Sequence, residues 1–182
     1  MAIRQICLLG NSILRKQCKR VGRNVGADDV RTIEDLRDTL ENFRAIRGFG
    51  RGIAAPQIGV AKRIIFINMN GPVDIYDDGF PLIDLEIVKR SRRTMVLWDD
   101  CFSFPELVVK VRRRMHITVK FRDIEGRTRH LLAEGDLSEL LQHEIDHING
   151  VLAIDHAIDL SHIVYRREWE RQVRAQERRM VF

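Results

Sequence analysis

One stretch constrains this chain more than any other: Leu137 to Leu152, LSELLQHEIDHINGVL. Leu137, Leu140, Leu141, Ile145 and Ile148 recur at helical spacing, so the stretch reads as a helix with Gly150 as its stop. On that helix His143 and His147 stand one turn apart on the same face, with Glu144 beside them. Two imidazoles so placed can share one ion, and the adjacent carboxylate can take a proton from water; this is the H-E-x-x-H arrangement. A surface helix with two spare histidines is the plainer alternative, and the charges of Glu144 and Asp146 would suit it.

A third ligand separates the two readings. A metzincin needs a histidine six residues after His147, where this chain has Ala153. A thermolysin-like enzyme would draw a later glutamate, but Glu168 and Glu170 lie in a strongly charged segment that reads as solvated. Upstream stands Cys101. A soft thiolate with two imidazoles suits Zn²⁺ or Fe²⁺, and three protein ligands leave one position open. Alone, Cys101 would be a small buried core residue, but Trp98, Phe102, Phe104 and Pro105 around it predict a stiff apolar wall beside a pocket. Gln57 follows the glycine-rich run 48–59 and could place its amide at a developing oxyanion, with the glycines allowing close backbone approach. An exposed loop glutamine is the plainer reading of that run by itself.

The 182 residues suffice for one domain with a real core, and 45% hydrophobic with 31% charged residues marks a globular chain. No apolar run is long enough to span a membrane, and the start lacks a signal-peptide layout. Cys7, Cys18 and Cys101 are too scattered for a disulfide framework, so a reducing cytoplasm is expected. The net charge of +5 collects in 88–93, in 110–114 and in the tail. Such clusters could favour RNA, although solvated faces are the commoner explanation and no nucleic-acid module signature accompanies them.

Along the chain, residues 1–25 read as an extended arm. Asp28 or Asp29 can cap a helix to about Arg47, with Val30, Ile33, Leu36, Leu40 and Phe43 as its apolar face. Residues 48–59 look too irregular for a helix. Strands are expected at Arg63–Asn68, Pro81–Val88, Leu107–Val111, Met115–Phe121 and Arg127–Ala133, and Thr94 to Trp98 leads into the segment 98–106. Turns are expected at Gly71-Pro72, Asp77-Asp78-Gly79 and Asp123–Gly126. Val151 to Ile154 follows the central helix, and a charged helix is expected from about Ser161 to Met180. The expected fold class is α+β: mostly antiparallel strands around a central helix that carries the metal site, in one domain, 1–182, with a basic tail over about 161–182.

Three segments, Gly50-Arg51-Gly52-Ile53-Ala54-Ala55-Pro56-Gln57, Asp100-Cys101-Phe102-Ser103-Phe104-Pro105 and Gln142-His143-Glu144-Ile145-Asp146-His147, closely resemble the three ordered signature motifs of the peptide deformylases. The likeness extends over nearly the whole chain. It implies removal of the formyl group from the initiator methionine of nascent proteins. It implies Cys101, His143 and His147 as ligands of one divalent ion, Fe²⁺ in the family, with Zn²⁺, Ni²⁺ or Co²⁺ also accepted. Glu144 would be the general base, and the Gln57 side chain and the Phe102 backbone N–H would steady the oxyanion. The glycine loop around Arg51 and Gly52 would pair with the substrate backbone as an added strand. Arg113 matches an arginine that supports the second motif. An N-formylated nascent peptide is the implied partner, with a ribosome contact through the basic C-terminal tail, and with neither DNA nor membrane.

The departures from the family pattern gather around the substrate. Where Glu-Gly-Cys-Leu-Ser is usual, this chain has Asp99-Asp100-Cys101-Phe102-Ser103. Asp100 puts a Cβ and a charge where substrate backbone should pass, and the shorter Asp99 predicts a looser pairing with Arg113. Arg51 and Glu139, the latter beside Leu140, stand where apolar residues are usual, with Asp136 further back. Asp84-Leu85 replaces an Asn-Pro. Neutral drift in a working deformylase is one account. A hydrolase that keeps the metal centre but prefers another formylated or acylated amine, of more polar character, is the second. An RNA- or ribosome-binding module with a structural metal is the third, and it is weakened because structural zinc sites usually take four protein ligands.

Overall fold

The computed structural model describes residues 2–69 and 79–180. The turns expected at Gly71-Pro72 and Asp77-Asp78 lie outside the described residues. Among the described residues there are eight strands: β1 (Gly52–Ala54), β2 (Ile64–Ile67), β3 (Phe80–Arg90), β4 (Thr94–Asp100), β5 (Leu107–Arg114), β6 (His116–Arg122), β7 (Thr128–Glu134) and β8 (Ile163–Tyr165). The helices are α1 (Ala27–Arg47), α2 (Gly135–Ile148) and α3 (Arg166–Met180). The strands form a five-stranded sheet, β1-β2-β3-β6-β7, and a three-stranded sheet, β4-β5-β8. All strand pairs are antiparallel. This is the α+β arrangement expected of the sequence, with α2 enclosed by the strands.

Burial explains the position of α2. Every residue from Ser138 to Ile145 is buried, together with His147 and Ile148. Leu140, Leu141, Ile145 and Ile148 pack with Ile65, Leu82 and Val119 of the larger sheet. A helix buried on nearly all sides cannot leave His143, Glu144 and His147 to water, so these polar groups need partners or a ligand. The helix ends where the glycine predicts. Asn149 caps it, and Gly150 follows at φ 76°, where an added Cβ would lie 2.7 Å from the Arg15 carbonyl oxygen.

α1 packs Ile33, Leu36 and Leu40 against Ile53, Ile64 and Ile83, forming a second apolar cluster. Its start differs from the expected cap. Gly26 is the N-cap, and Asp29 acts from within the first turn, its Oδ2 accepting from Gly26 N at 2.9 Å. Residues 48–59 are irregular only at first. They then form β1 and a 3₁₀ turn, Ala55–Ile58, in which Gln57 Oε1 accepts from Ala54 N at 2.8 Å. In β3 the register shifts between Ile83 and Glu86, and Asp84 takes φ 54°. The short carboxylate makes that left-handed turn tolerable by accepting from Val21 N and from Arg122, both at 2.9 Å.

The last helix begins later than expected. Residues 160–162 make a 3₁₀ turn, and Ile163-Val164-Tyr165 pair with Val109, Val108 and Leu107 as β8. The β-branched and aromatic run takes strand pairing on a free sheet edge over the helical pattern of the charged residues beyond it. Among the described residues no helix is long and apolar enough to cross a membrane.

Candidate metal centre and cleft

α2 meets the end of β4 at one point. Cys101, the first residue after β4, places its Sγ 3.2 Å from His147 Nε2, which lies 3.2 Å from His143 Nε2. All three donor atoms fall within 4.8 Å of one another, and all three residues are buried. Two imidazole nitrogens and a sulfur turned toward one buried point make poor hydrogen-bonding partners but a sound donor set for a divalent ion. The site passes a second test of fit. Glu144, one residue along α2, is buried, and its Oε2 has no hydrogen-bond partner among the described residues. A buried carboxylate oxygen without a donor is costly unless the site is completed by something it can bond, such as water or substrate.

The cluster of Cys101, His143 and His147 is held from behind. Asp99 Oδ1 lies 2.8 Å from His143 Nδ1, and Asp99 Oδ2 accepts from Arg113 at 3.0 Å. Arg113 also donates to Asp146 Oδ2 at 2.5 Å, and His156 Nε2 reaches the same oxygen at 3.0 Å. The pairing of Asp99 with Arg113, expected to be loose, is made at full hydrogen-bond distance. The shorter carboxylate sits on β4 directly between ring and guanidinium. Asp99, expected at the substrate, has both carboxylate oxygens engaged by this brace. Asp146, between the two histidines, has no role assigned from the sequence; the packing of β5 against α2 brings Arg113 to it.

The electrostatics follow. Burial would raise the Asp99 carboxyl, but His143 and Arg113 outweigh it and hold it near 2. Burial opposes a charged His143, yet Asp99 holds its pKa well above the ordinary value. His147 is pushed well down, by burial first and then by the neighbouring His143. Burial lifts Glu144 to about 7, with Glu139 and Asp99 adding to the rise. A carboxyl poised near neutrality suits proton transfer in both directions.

The cleft beside the site encloses about 420 Å³ and is lined among others by Gly50, Arg51, Gly52, Gln57, Glu139 and Leu140. Gln57 directs its amide N toward Cys101 Sγ at 3.7 Å and Ser103 Oγ at 3.4 Å, and so presents a donor beside the ligand set. Phe102 is buried, its ring stacked on Phe43 at 3.8 Å and edge-on to Phe49, which pins the backbone next to Cys101. Arg44 ties the glycine loop down through the carbonyls of Gly50 and Asn68. At Gly52 an added Cβ would lie 2.7 Å from Glu144 Oε1 and 3.0 Å from Leu140 Cδ1, so a side chain there would push on Glu144.

The unusual charges at the cleft fall into pairs. Arg51 donates to Glu139 Oε2 at 2.5 Å across the cleft; the Glu139 side chain is 5% exposed and that of Arg51 38%. Burial, and Asp99 after it, raise the Glu139 carboxyl, with Arg51 opposing them. Asp100 accepts from Arg166, the first residue of α3, at 3.0 Å. The Arg166 guanidinium also lies 3.9 Å over the Phe49 ring, and its Nε donates to the Pro105 carbonyl. Trp169 approaches Trp98, whose side chain lines the cleft. Arg166 was not foreseen as a site residue, because in sequence it reads as one more tail arginine. Asp136 is exposed and outside the cleft lining.

Comparison with known proteins agrees with this geometry. Residues 3–162 match the family described as polypeptide deformylase. A peptide deformylase of Thermomicrobium roseum is 40% identical over 91% of this chain and 92% of its own length. The crystal structure of a peptide deformylase from Legionella pneumophila superposes with a TM-score of 0.78 at 33% identity, covering 99% of this chain and 98% of that one. That of Synechococcus elongatus in complex with actinonin gives 0.77 at 29% identity, covering 89% and 88%.

Two outcomes are expected from the geometry. Gly52→Ala forces Glu144 or β1 aside, so activity is expected to fall on the order of 10–100-fold with metal retained, the cost of shifting a carboxylate placed for proton transfer by about an ångström. Unchanged kcat/KM would contradict it. In metal-free protein, Glu144 binds its proton more tightly folded than unfolded. Stability is therefore fully present below the ordinary carboxylate pKa and lost as pH rises toward about 7. Denaturant midpoints at pH 5 and pH 8 should differ more for the wild type than for Glu144→Gln; equal differences would contradict the burial argument.

Proposed function

The chain belongs to the polypeptide deformylase family, and from that membership we infer that it hydrolyses the N-formyl group of the N-terminal methionine of newly made proteins. Formyl-peptide and water give formate and a free amine. The observation that carries this reading is the convergence of Cys101, His143 and His147 beside an unpartnered Glu144 oxygen at the floor of an open cleft.

Cys101, His143 and His147 would hold one divalent ion. Fe²⁺ is the ion implied by the family, and the same donor set accepts Zn²⁺, Ni²⁺ or Co²⁺. When bound, the ion supplies Lewis acidity and makes water easier to deprotonate near neutral pH. The chain's own residues do the rest. Glu144 takes a proton from the attacking water, whose oxygen bonds to the formyl carbon. The Gln57 amide and the Phe102 N–H donate to the developing oxyanion. Glu144 then returns the proton to the leaving nitrogen as the C–N bond breaks. The unpaired outer edge of β1, which starts at Gly52 beside Arg51, would receive the peptide backbone, and Leu140 lines the adjoining wall. Asp99 and Arg113 orient His143 and touch no reacting atom.

A second reading concerns selectivity, and the Arg51–Glu139 pair favours it. An ion pair across the cleft gives the first side chain polar neighbours, so the preferred substrate would be a formylated or acylated amine of more polar character. A ribosome contact through α3 stands as a weaker proposal. Arg166 is turned toward Asp100, and Arg171 is paired with Glu168.

Protein purified without oxygen and loaded with Fe²⁺ or Ni²⁺ is expected to release formate from formyl-Met peptides, and Glu144→Gln to keep the metal but lose turnover. Turnover retained by the variant would contradict the assigned base. Arg51→Ile leaves Glu139 buried and unpaired, at a cost of about 1–3 kcal/mol given the half-exposed partner. Arg51→Ile with Glu139→Leu is expected to recover stability and to shift preference toward apolar first residues. A selectivity profile identical to the wild type would remove the second reading.

A further inference from the structure

The first turn of α3 carries a cation that the reaction as described leaves unused. Arg166 follows β8 directly, and main-chain pairing fixes its position. Ile163, Val164 and Tyr165 pair with Val109, Val108 and Leu107, and Arg166 N donates to the Glu106 carbonyl at 2.8 Å. A sheet edge therefore delivers this side chain to the mouth of the cleft. Three groups receive it there. One guanidinium nitrogen donates to Asp100 Oδ2 at 3.0 Å, Nε donates to the Pro105 carbonyl at 2.8 Å, and the guanidinium carbon lies 3.9 Å over the Phe49 ring. Asp100 and Pro105 bracket the segment that carries Cys101 and Phe102, whereas Phe49 belongs to the glycine loop. One planar cation thus ties together two stretches that line the cleft, and its forked donors and flat face serve all three contacts at once. Phe49 passes the contact on, since it lies edge-on to Phe102 at 6.1 Å.

The pair also decides where the Asp100 charge goes. Asp100 lines the cleft, and so do two other arginines, Arg44 and Arg51. Arg44 is committed to the carbonyls of Gly50 and Asn68. Arg51 is held by Glu139 on the α2 side. Burial works against a charged Arg51, but Glu139 first, then Asp136 and Asp100, raise its pKa, so Asp100 acts on Arg51 across the cleft. With Arg166 in place the Asp100 carboxylate is turned toward α3. Without it, Arg51 is the cation lining the cleft that draws Asp100 inward, into the space a peptide must enter.

We propose that Arg166 is a positioning residue for deformylation: it latches Asp100 against α3 and the glycine loop against the segment 100–105, and so keeps the cleft open to peptide. Its substrate side rests on the deformylase reading, while the latch itself stands on geometry. Arg166 touches no reacting atom. It lies beyond residues 3–162, which match the family, and its partner Asp100 stands where the family pattern has a glycine. Cation and anion therefore go together in this chain. A glycine at position 100 needs no latch, whereas an aspartate there brings a charge that has to be held out of the cleft. The Arg166 side chain is 17% exposed, so solvent screens the pair only in part.

Two measurements on the metal-loaded full chain test this. The first reads kcat and KM for formate release from a formyl-Met tripeptide in the wild type, in Arg166→Gln and in Arg166→Gln combined with Asp100→Asn. Arg166→Gln is expected to raise KM about tenfold with kcat within about twofold, the signature of lost binding shared by ground and transition states. In the double variant the contact with Phe49 stays lost, but no uncompensated carboxylate remains, so KM should return to within about threefold of the wild type. A role in packing alone would not be rescued by Asp100→Asn. An unchanged KM in Arg166→Gln, a loss carried by kcat, or a raised KM that persists in the double variant would each overturn the proposal. The second measurement is the crystal structure of Arg166→Gln, which decides the latch whatever the substrate is. Asp100 paired with Arg51 across the cleft is expected; Asp100 left beside α3 or turned to solvent would overturn it. Absence of formate release by the wild type would strike the deformylase reading instead, and the crystal structure would still judge the latch.

Discussion

The buried ion network Asp99–Arg113–Asp146 is the interaction on which the rest of the site depends. Arg113 projects from β5 into the space between β4 and α2 and is 4% exposed there. One guanidinium nitrogen holds the carboxylate that orients His143, and another holds a residue of α2 itself. It therefore fixes the angle between the strand that delivers Cys101 and the helix that delivers both imidazoles. Removing one partner of such a network leaves a buried charge uncompensated, at a cost on the order of 3–5 kcal/mol. The apolar packing of α2 against the larger sheet supplies the burial, and the ion network supplies the orientation.

The cleft shows the same logic in its unusual residues. Taken singly, Arg51, Asp100 and Glu139 are charges in a place that favours apolar or small side chains. In space, Arg51 meets Glu139, and Asp100 meets Arg166. Arg51, Asp100 and Glu139 are each compensated by another charge, so the cleft is polar without being electrostatically frustrated. The second pair also joins the start of α3 to the rim, with Phe49 and Trp98 as the apolar surfaces against which Arg166 and Trp169 rest.

The sequence made the grouping of Cys101, His143 and His147 legible because the H-E-x-x-H spacing and the surroundings of Cys101 are local. It made α1, α2 and most strands legible through periodicity and turn residues. It could not show pairings between distant residues. Arg113 with Asp146, Arg51 with Glu139 and Arg166 with Asp100 all join separate elements, and nothing in the local pattern marks the partner. β8 was hidden for a related reason, since a three-residue strand exists only because the edge of β5 is there to receive it.

The central claim is that Cys101, His143 and His147 hold one divalent ion beside Glu144. The most direct measurement is the absorption spectrum of Co²⁺-substituted protein together with the metal content per chain. One ion per chain is expected, with a sulfur-to-metal charge-transfer band that disappears in Cys101→Ser. A spectrum unchanged by that substitution, or no stoichiometric binding by the folded wild type, would contradict the account.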